Sequence, residues 1–203
     1  MEINPNDVSQ KENHLLLDSI VCPRPIFFVS TLNKQNIVNL APYSMSTIAS
    51  TSPAMVCFSV ALRPNGEEKD TLANIRETGE FVVNTVTAEI LDDVLIAAGD
   101  YNPGISELEY VNLSTLPSVT IAPPRVKESP VHLECKLHQI VELGAHSLII
   151  GRIQLYHIAD EVYSGDDVDT AKLNIIGRMR KSSFVRTSDV FSNENLWKLY
   201  HGS

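Results

Sequence analysis

The chain has 203 residues, 43% of them hydrophobic, and a formal net charge of -9 at pH 7. This length and composition are typical of one globular domain with a real hydrophobic core. The acidic balance argues against a general nucleic-acid-binding or anionic-membrane-binding protein, because both of those partners are polyanions.

The start of the chain and its cysteines indicate a reducing compartment. Residues 1–13 are polar and lack the apolar core of a signal peptide, and no apolar run reaches membrane-spanning length. Cys22, Cys57 and Cys135 are odd in number, lie far apart and form no CxxC pair, which is typical of reduced thiols. We therefore predict a cytoplasmic protein with neither a membrane nor a nucleic acid as partner.

The first third of the chain predicts three strands. Residues 26–32 are β-branched and aromatic, and 33–36 have the composition of a hairpin turn, so 37–40 is expected to return as a second strand. Small polar residues dominate 41–53, which is expected to be a loop, and 54–62 is the third strand.

Two helices are predicted next, each followed by a glycine. The first covers 70–78, ends at Gly79 and leads into a strand over 80–86. The second covers 88–98, with Thr87 as its N-cap, and its apolar residues recur at the helical period.

The segment 100–124 has no clear period and contains four prolines, so we predict a long loop with a helical turn around 106–110. Further along, 147–158 is a predicted strand in which Gly151 indicates a bulge or a close contact. Residues 192–200 are compatible with a short terminal helix.

The strand with the clearest alternation covers 131–140. Its odd-numbered apolar residues predict one buried face, whereas His132, Glu134 and His138 are expected to share a face open to water. Two histidines and a carboxylate on one face are a weak metal signal, because a solvated strand face often has this composition. We predict no metal site there.

Five to seven strands with only two clear helices, mostly joined by hairpins, predict a mainly β fold. Strands and helices do not alternate regularly, so an antiparallel barrel with peripheral helices is favoured over a doubly wound parallel sheet. No GxGxxG or GxxxxGK[ST] motif follows a strand, so a glycine-rich dinucleotide-binding fold is not indicated.

The segment Lys69-Asp70-Thr71 stands where the first helix begins. The free N–H groups and partial positive charge of a helix start suit a phosphate, and Lys69 adds a cation and Thr71 a hydroxyl donor. Asp70 and Thr71 are also good capping residues, so a helix cap that binds no ligand is the alternative interpretation.

No constellation of catalytic side chains is evident. The serines lie outside any GxSxG turn, the cysteines have no activating pattern, and the histidines have no partner that the sequence identifies. This absence favours chemistry performed by a bound cofactor, with the polypeptide supplying binding and orientation.

Several motifs, in the expected order, resemble the flavin reductase-like, FMN-binding split-barrel family, over about residues 16–186. They include Pro23-Arg24-Pro25-Ile26, Asn39-Leu40-Ala41-Pro42-Tyr43-Ser44, Pro53-Ala54-Met55-Val56, Lys69-Asp70-Thr71-Leu72-Ala73-Asn74-Ile75 and Thr78-Gly79-Glu80-Phe81-Val82-Val83-Asn84. Ordered motifs over most of the chain are far more specific than any one of them alone.

The resemblance implies a six-stranded antiparallel Greek-key split barrel, usually a homodimer, with FMN near the dimer interface. The chain is then one domain over 1–203, with its core at about 16–186 and a C-terminal extension at 187–203. FAD is the alternative cofactor, and NADH or NADPH is the implied electron donor.

The resemblance also implies which residues contact the flavin. The 43–47 loop is expected at the isoalloxazine and ribityl groups, 59–61 beside the flavin, and Lys69 and Thr71 at the phosphate, with Asp70 fixing the loop. The expected cofactor-binding residues are Arg24, Tyr43, Ser44, Met45, Ser46, Thr47, Ser59, Val60, Ala61, Lys69, Asp70, Thr71, Arg178 and Phe184.

One stretch departs from the family pattern. Members often have Arg-Leu-Gly-Gly and an aromatic after the last strands, whereas here Arg180 and Lys181 replace the glycines between Arg178 and Phe184. The two added cations either meet a phosphate of the flavin or nicotinamide nucleotide or are solvated. Arg24 is similarly ambiguous between a flavin contact and a structural pairing with an acid.

Three functions are compatible with this pattern. The favoured one is an NAD(P)H-dependent flavin oxidoreductase, in which hydride passes from nicotinamide to flavin and residues 44–47 stabilise charge on the ring. The alternative is a flavin-bound electron carrier or flavin-binding module without its own nicotinamide site, with an electron-accepting partner protein. The third is a barrel that has lost its cofactor. The 100–124 loop is expected to block or admit a donor.

Overall fold

The computed structural model describes residues 1–187 and 190–193, so the predicted helix over 192–200 lies largely outside the described residues. The helices are α1 (Gln10–Ile20), α2 (Asp70–Thr78), α3 (Leu91–Ala97) and α4 (Thr170–Leu173), with short 3-10 helices at Glu107–Glu109 and Asp160–Val162. The strands are β1 (Arg24–Pro25), β2 (Phe27–Leu32), β3 (Val38–Tyr43), β4 (Ser46–Thr51), β5 (Ala54–Ala61), β6 (Glu80–Thr85), β7 (Thr115–Leu116), β8 (Arg125–Val126), β9 (Val131–Glu142), β10 (His146–Ile158), β11 (Ile176–Arg178) and β12 (Phe184–Arg186).

Seven strands form one antiparallel sheet in the order β3-β2-β6-β9-β10-β5-β4, and β1, β11 and β12 form a small second sheet. This architecture confirms the prediction of a mainly β, antiparallel fold with few helices. The main sheet has seven strands where the resemblance implies six, and β4 is a strand that the sequence pattern does not predict.

Strand β4 corrects the expectation of a loop over 41–53. Its backbone pairs with β5 from Ser46, opposite Phe58, to Thr51, opposite Ala54. Most of its side chains are exposed, because β4 stands at the edge of the sheet. Its small polar residues therefore lack the apolar alternation from which strands are predicted.

The hydrophobic core has two parts. Phe28 and Val29 are consecutive residues of β2 that belong to different clusters, so the clusters lie on opposite faces of that strand. The first cluster centres on Phe58 and Phe81, whose ring centroids are 5.5 Å apart. The second packs α3, through Val94, against the other face.

Gly151 is required where β10 passes over Phe81. A Cβ atom at this position would lie 2.2 Å from Cζ of Phe81, which is far inside contact distance. The register of β10 against β9 also shifts between Ile150 and Gly151. The irregularity predicted at this glycine is therefore confirmed.

Helix α2 has the length and the ending that the sequence predicts. Leu72 and Ile75 are fully buried, which fixes its inner face. Gly79 follows the helix with a φ of 71°, a left-handed conformation that glycine adopts without strain, and its N–H donates to the carbonyl of Ile75.

Helix α3 is shorter than the expected 88–98 and begins only at Leu91. Thr87 is not its N-cap, because the backbone of Thr87 pairs with Ile175 in an isolated β-bridge. Residues 88–90 form the turn that leads from this bridge into the helix.

Helix α1 is an addition to the two helices predicted from the sequence. Its N-terminus is a capping box, in which Ser9 Oγ accepts from the Glu12 N–H and the Glu12 carboxylate accepts from the Ser9 N–H. Leu17, Ile20 and Val21 at its other end are exposed. Among the described residues, no helix combines the length and apolar character needed to span a membrane.

The segment 100–124 is attached to the barrel through its own backbone. Five of its amides donate to carboxylates elsewhere in the chain: those of Asn112, Ser114, Val119, Thr120 and Ala122. The accepting carboxylates are those of Asp93, Glu128, Glu134 and Glu80. The helical turn predicted around 106–110 is present as the 3-10 helix Glu107–Glu109.

The outward face of β9 is not uniformly open to water, which corrects the prediction for this strand. His138 is exposed as expected, but His132 is 5% exposed and Glu134 is fully buried. The Glu134 carboxylate accepts the N–H groups of Val119 and Thr120, each at 2.7 Å. These hydrogen bonds compensate for the burial of its charge.

Candidate functional site

Helix α2 begins in a turn that presents Lys69 to solvent. Lys69 is the N-cap residue, and its exposed side chain forms no capping hydrogen bond. Thr71, by contrast, is 1% exposed, and its Oγ1 accepts a hydrogen bond from Nδ2 of Asn39 at 2.7 Å. The helix start therefore offers a cation outward while its hydroxyl belongs to a buried network.

A cavity of about 90 Å³, the Lys69 cavity, lies at this helix start. Four of the expected cofactor-binding residues line it: Tyr43, Lys69, Asp70 and Thr71. Residues 97–101 form another part of its wall, which brings the end of α3 close to the start of α2.

Arg63 is the second cation of the Lys69 cavity. Its Nη2 lies 3.4 Å from Oδ2 of Asp70, and its Nη1 lies 3.2 Å from Oδ1 of Asp100. Its Nε is buried and has no hydrogen-bond partner within the described residues. Because Asp100 is 88% exposed, that ion pair is weak and open to competition from another anion.

Two buried acidic groups also face the Lys69 cavity. Glu107 is 6% exposed and accepts the Leu40 N–H at 2.7 Å, and burial raises the pKa of its carboxyl to about 6. Burial also raises the pKa of the Tyr43 phenol well above its ordinary value. The phenol therefore stays protonated and remains a hydrogen-bond donor.

A second cavity of about 230 Å³, the Arg24 cavity, lies beside the first. Five more of the expected residues line it: Arg24, Ser44, Met45, Arg178 and Phe184. Pro42 and Ala98 line both cavities, so the two are neighbouring parts of one groove. Ile26, Val94 and Leu95 give the Arg24 cavity apolar walls, and α1 adds His14 and Asp18.

Arg24 is 8% exposed and is held mainly by the backbone. Its Nη1 donates to the carbonyls of Asp18 and Val21, each at 2.9 Å, and its Nη2 donates to the carbonyl of Met179 at 3.3 Å. Nη2 also lies 3.0 Å from the Asp18 carboxylate. The structural pairing with an acid, one of the two predicted roles, is thus present.

Arg178 stands opposite Arg24 in the pairing of β1 with β11. Its guanidinium carbon lies 4.8 Å from the centroid of the Phe184 ring, a cation–π contact that fixes a cation and an aromatic ring at this cavity. Arg180 and Lys181 are exposed and line neither cavity.

The five remaining expected residues line neither cavity: Ser46, Thr47, Ser59, Val60 and Ala61. Val60 is fully buried in the first core cluster, so its side chain packs inward. The N–H of Ser59 donates to the carbonyl of Met45 at 2.9 Å, which ties β5 to a residue of the Arg24 cavity. The structure therefore does not bring these five into the two cavities that hold the other nine.

The groove residues that are absent from the sequence prediction include three charged ones: Arg63, Glu107 and Asp18. Arg63 precedes a proline in an aperiodic loop, and Glu107 lies in the 100–124 segment, so no local pattern identifies either. Asp18 belongs to α1, for which the spacing of Ser9 and Glu12 is a capping-box signal.

The family whose model matches the chain is described as flavin reductase like domain, and the match covers residues 19–172. Among full-length relatives, an uncharacterised protein of Halalkalibacterium halodurans is 35% identical over 198 residues. The matched region is 95% of each of the two chains.

Two solved structures are similar over nearly the whole chain. Nitrilotriacetate monooxygenase component B from Bacillus cereus has a TM-score of 0.91 and 32% identity, covering 95% of this chain and 98% of that one. The 2-nitrobenzoate 2-nitroreductase NbaA from Pseudomonas fluorescens has a TM-score of 0.87 and 30% identity, covering 95% of each chain. These similarities confirm the predicted split-barrel class.

Proposed function

The chain belongs to the flavin reductase-like domain family, as its motifs predict, and we propose that it is an NAD(P)H-dependent flavin oxidoreductase with FMN as cofactor. The observation that carries this proposal is the groove formed by the Lys69 and Arg24 cavities. Nine of the fourteen expected cofactor-binding residues line it. A flavin nucleotide needs an anion site and an apolar site, and the groove has one at each end.

The Lys69 cavity is the proposed phosphate site. Lys69 and the free N–H groups at the start of α2 supply positive potential, and the unpartnered Nε of Arg63 is a further donor. The phosphate displaces Asp100 from Arg63, because that carboxylate is 88% exposed and loosely held. Asp70, at 23% exposure, stays and orients the arginine.

FMN is proposed over FAD because of the size of this end of the groove. The Lys69 cavity has about 90 Å³ and is walled by residues 97–101. This space suits one phosphate group and leaves little for a second nucleotide. Comparison of the FMN and FAD affinities of the purified protein tests the choice.

The Arg24 cavity is the proposed ring site. When bound, FMN supplies the ring system that accepts a hydride from the nicotinamide. Ile26, Leu95 and Phe184 provide apolar surface for that ring and exclude water from its neighbourhood. Backbone N–H groups and the hydroxyl at Ser44 and Met45 are donors for the polar edge of the ring.

The side chains of the groove need not transfer protons for this reaction. Arg178, fixed against Phe184, lies where it can attract the phosphates of an incoming nicotinamide nucleotide. The protein's contribution is then binding, ring orientation and exclusion of water, as the absence of a catalytic triad or metal motif in the sequence suggests.

A homodimer in the cytoplasm is part of the proposal. Leu17 and Ile20 of α1, Val21 directly after it and Ile48 of the edge strand β4 are exposed apolar residues, which a second copy of the chain would cover. Light scattering coupled to size-exclusion chromatography tests this, and a monomer at micromolar concentration contradicts it.

The electron acceptor has two candidates, each suggested by a relative at least 30% identical. One relative is named as a component of a monooxygenase, which favours a partner protein as acceptor or user of reduced flavin. The other is named as a nitroreductase, which favours an organic acceptor at the same groove. Anaerobically reduced protein mixed with a nitroaromatic compound distinguishes them, because only the second predicts direct reoxidation.

The central experiment is a titration of flavin-free protein with FMN, followed by anaerobic addition of NADH or NADPH. We expect FMN to bind and its absorbance to be bleached by one of the two donors. Lys69→Gln should weaken FMN binding, whereas Lys34→Gln, a matched lysine that lines neither cavity, should not. Binding without bleaching by either donor favours the electron-carrier alternative, and no binding refutes the assigned groove.

A further inference from the structure

A third cavity of about 470 Å³, the Arg125 cavity, lies where β9 begins and β10 ends. Its charged and titratable lining residues are Arg125, Lys127, His132, Tyr156 and His157. It shares no lining residue with the Lys69 or Arg24 cavity. The proposed flavin groove therefore does not explain it.

The charge of the Arg125 cavity is unusual for this protein. The chain has 25 acidic and 16 basic residues, yet no aspartate or glutamate is among the described residues that line this cavity. Arg125 donates Nε and Nη2 to the carbonyl of Pro117, at 3.2 Å and 3.0 Å, which holds the guanidinium without neutralising it. Neither Arg125 nor Lys127 has an ion-pair partner within the described part of the chain.

A buried histidine of this cavity has a ring nitrogen without a hydrogen-bond partner among the described residues. His132 is 5% exposed, and its Nε2 lies 2.7 Å from the carbonyl of Val126, so that nitrogen carries the proton and donates. Its Nδ1 is buried and lacks a partner within residues 1–187 and 190–193. Buried polar atoms are rarely left in this state, so a bound group or a water molecule is expected to complete the site.

His157 is held in place for a similar role. Its Nε2 donates to the fully buried Glu134 at 2.7 Å, so its Nδ1 is the nitrogen left for other contacts. Although burial opposes it, hydrogen bonds from Thr120 and Val119 lower the pKa of Glu134 to about 2. This ionised carboxylate holds the His157 ring with Nε2 as its donor.

We infer that the Arg125 cavity is a second binding site, which takes the phosphate or carboxylate group of a small molecule between Arg125 and Lys127, beside His157. Two cations without carboxylate partners supply the charge and the charge-assisted hydrogen bonds. Nδ1 of His132 accepts a hydrogen bond from a donor group of the same molecule or from a water molecule. Phosphate and carboxylate share this chemistry, and separate titrations distinguish them.

The test uses the histidine NMR signals of the full-length protein, recorded with and without added FMN. Inorganic phosphate and, in a second arm, succinate are titrated at fixed pH, with chloride keeping the ionic strength constant. We expect saturable shifts of the His132 and His157 signals in at least one arm. His138 is exposed on the same strand but does not line the cavity, so its signal is the internal reference.

Variants of the two cations identify the site. Lys127→Gln alters only an exposed side chain, so it should fold and should weaken the affinity for the anion severalfold. The double variant Arg125→Gln, Lys127→Gln should weaken it at least about tenfold, as loss of charge-assisted hydrogen bonds predicts. Arg152→Gln, an exposed arginine of β10 outside the cavity, should leave the affinity unchanged.

Three outcomes overturn the inference. They are the absence of a saturable shift in both arms, an equal affinity for the anion in Lys127→Gln and the wild type, and loss of the shift on addition of FMN. The last would assign the anion to the Lys69 cavity. Because the titration needs no bound flavin, its result is independent of whether the proposed flavin groove is correct.

Discussion

Arg24 and Arg63 are two largely buried arginines that line neighbouring cavities, and the groups that satisfy them differ in kind. Three backbone carbonyls and the Asp18 carboxylate hold Arg24. Arg63 is held by the carboxylates of Asp70 and Asp100, besides a longer contact of 3.5 Å to the carbonyl of Tyr101. In both arginines Nε is buried without a partner in the described chain.

The difference separates a structural arginine from one available to a ligand. Backbone carbonyls cannot leave Arg24 unless α1 and the chain around Met179 move with them. The exposed Asp100 side chain can rotate away from Arg63 without moving any secondary structure. The exposed fractions of the two side chains do not distinguish Arg24 from Arg63. The identity of their hydrogen-bond and ion-pair partners does, and it predicts that Arg24 supports the fold and Arg63 binds an anion.

The largest expected effect is on stability. Arg24→Ala should lower the free energy of unfolding by about 3–5 kcal/mol, because it leaves Asp18 and three carbonyls without their donor. Urea denaturation measures this, and Arg180→Ala, at an exposed arginine nearby, is the control and should change it little. A stable Arg24→Ala protein that fails to bind FMN would reverse the assignment.

Arg63→Ala should act on affinity instead. Loss of a charge-assisted contact to the phosphate should raise the Kd for FMN about a hundredfold, or about 2.7 kcal/mol. The free energy of unfolding should change by less than about 1 kcal/mol, because one of the broken ion pairs is solvent-exposed. Fluorescence titration with FMN measures the first and urea denaturation the second. Unchanged FMN affinity would remove Arg63 from the site.

Glu107 lines the same cavity as Arg63 but carries the opposite kind of group, a buried carboxyl. With its pKa raised by burial to about 6, from an ordinary 4.5, the folded protein binds this proton more tightly than the unfolded chain does. The free energy of unfolding therefore falls by about 2 kcal/mol in total as the pH rises from about 4.5 to 6.

Glu107→Gln should remove that loss, since an amide oxygen still accepts the Leu40 N–H without a charge. The variant should be more stable than the wild type at pH 8 and similar to it near pH 4.5. Thermal unfolding across this pH range measures the difference, with Glu109→Gln at an exposed neighbouring glutamate as control. Parallel pH profiles for Glu107→Gln and the wild type would contradict the assignment.

The smallest effect is expected at Asp100, whose carboxylate competes with the proposed phosphate for Arg63. Asp100→Asn should free one side of Arg63 and tighten FMN binding by about two- to threefold, within the range of an exposed ion pair. Asp166→Asn changes an exposed aspartate in a distant acidic loop and serves as the charge-matched control. If Asp100→Asn weakens FMN binding, Asp100 is a partner of the ligand and not its competitor.

Local patterns in the sequence predict much of the barrel. Helix α2 follows from its apolar spacing and Gly79, and strand β9 from its alternation, because each depends on residues close together in the chain. Helix α1 has an equally local capping box at Ser9, but its exposed apolar residues give no inward stripe. Strand β4 has no alternation, since edge position and pairing with β5 define it.

The candidate site likewise has one part that a local sequence motif predicts and one part that depends on contacts between distant residues. Lys69, Asp70 and Thr71 form one contiguous motif, so the sequence predicts the end of the groove that we propose as the phosphate site. The other end depends on Arg24 and Arg178 pairing across the small second sheet, more than 150 residues apart in the chain. The burial of Glu134 likewise depends on which distant segment covers β9, and no spacing rule predicts that.

The carboxylates that anchor the segment 100–124 have a consequence for how this protein can diverge. Every residue except proline has an amide hydrogen, so Asp93, Glu128, Glu134 and Glu80 hold the segment largely through its backbone, although the hydroxyls of Ser114 and Thr120 also donate to Glu128 and Glu134. Apart from Ser114 and Thr120, the residues anchored only by their amides, such as Asn112, Val119 and Ala122, can be substituted while the segment keeps its path over the barrel. The surface of this segment can therefore change to bind new partner proteins or electron acceptors without destabilising the barrel that it covers.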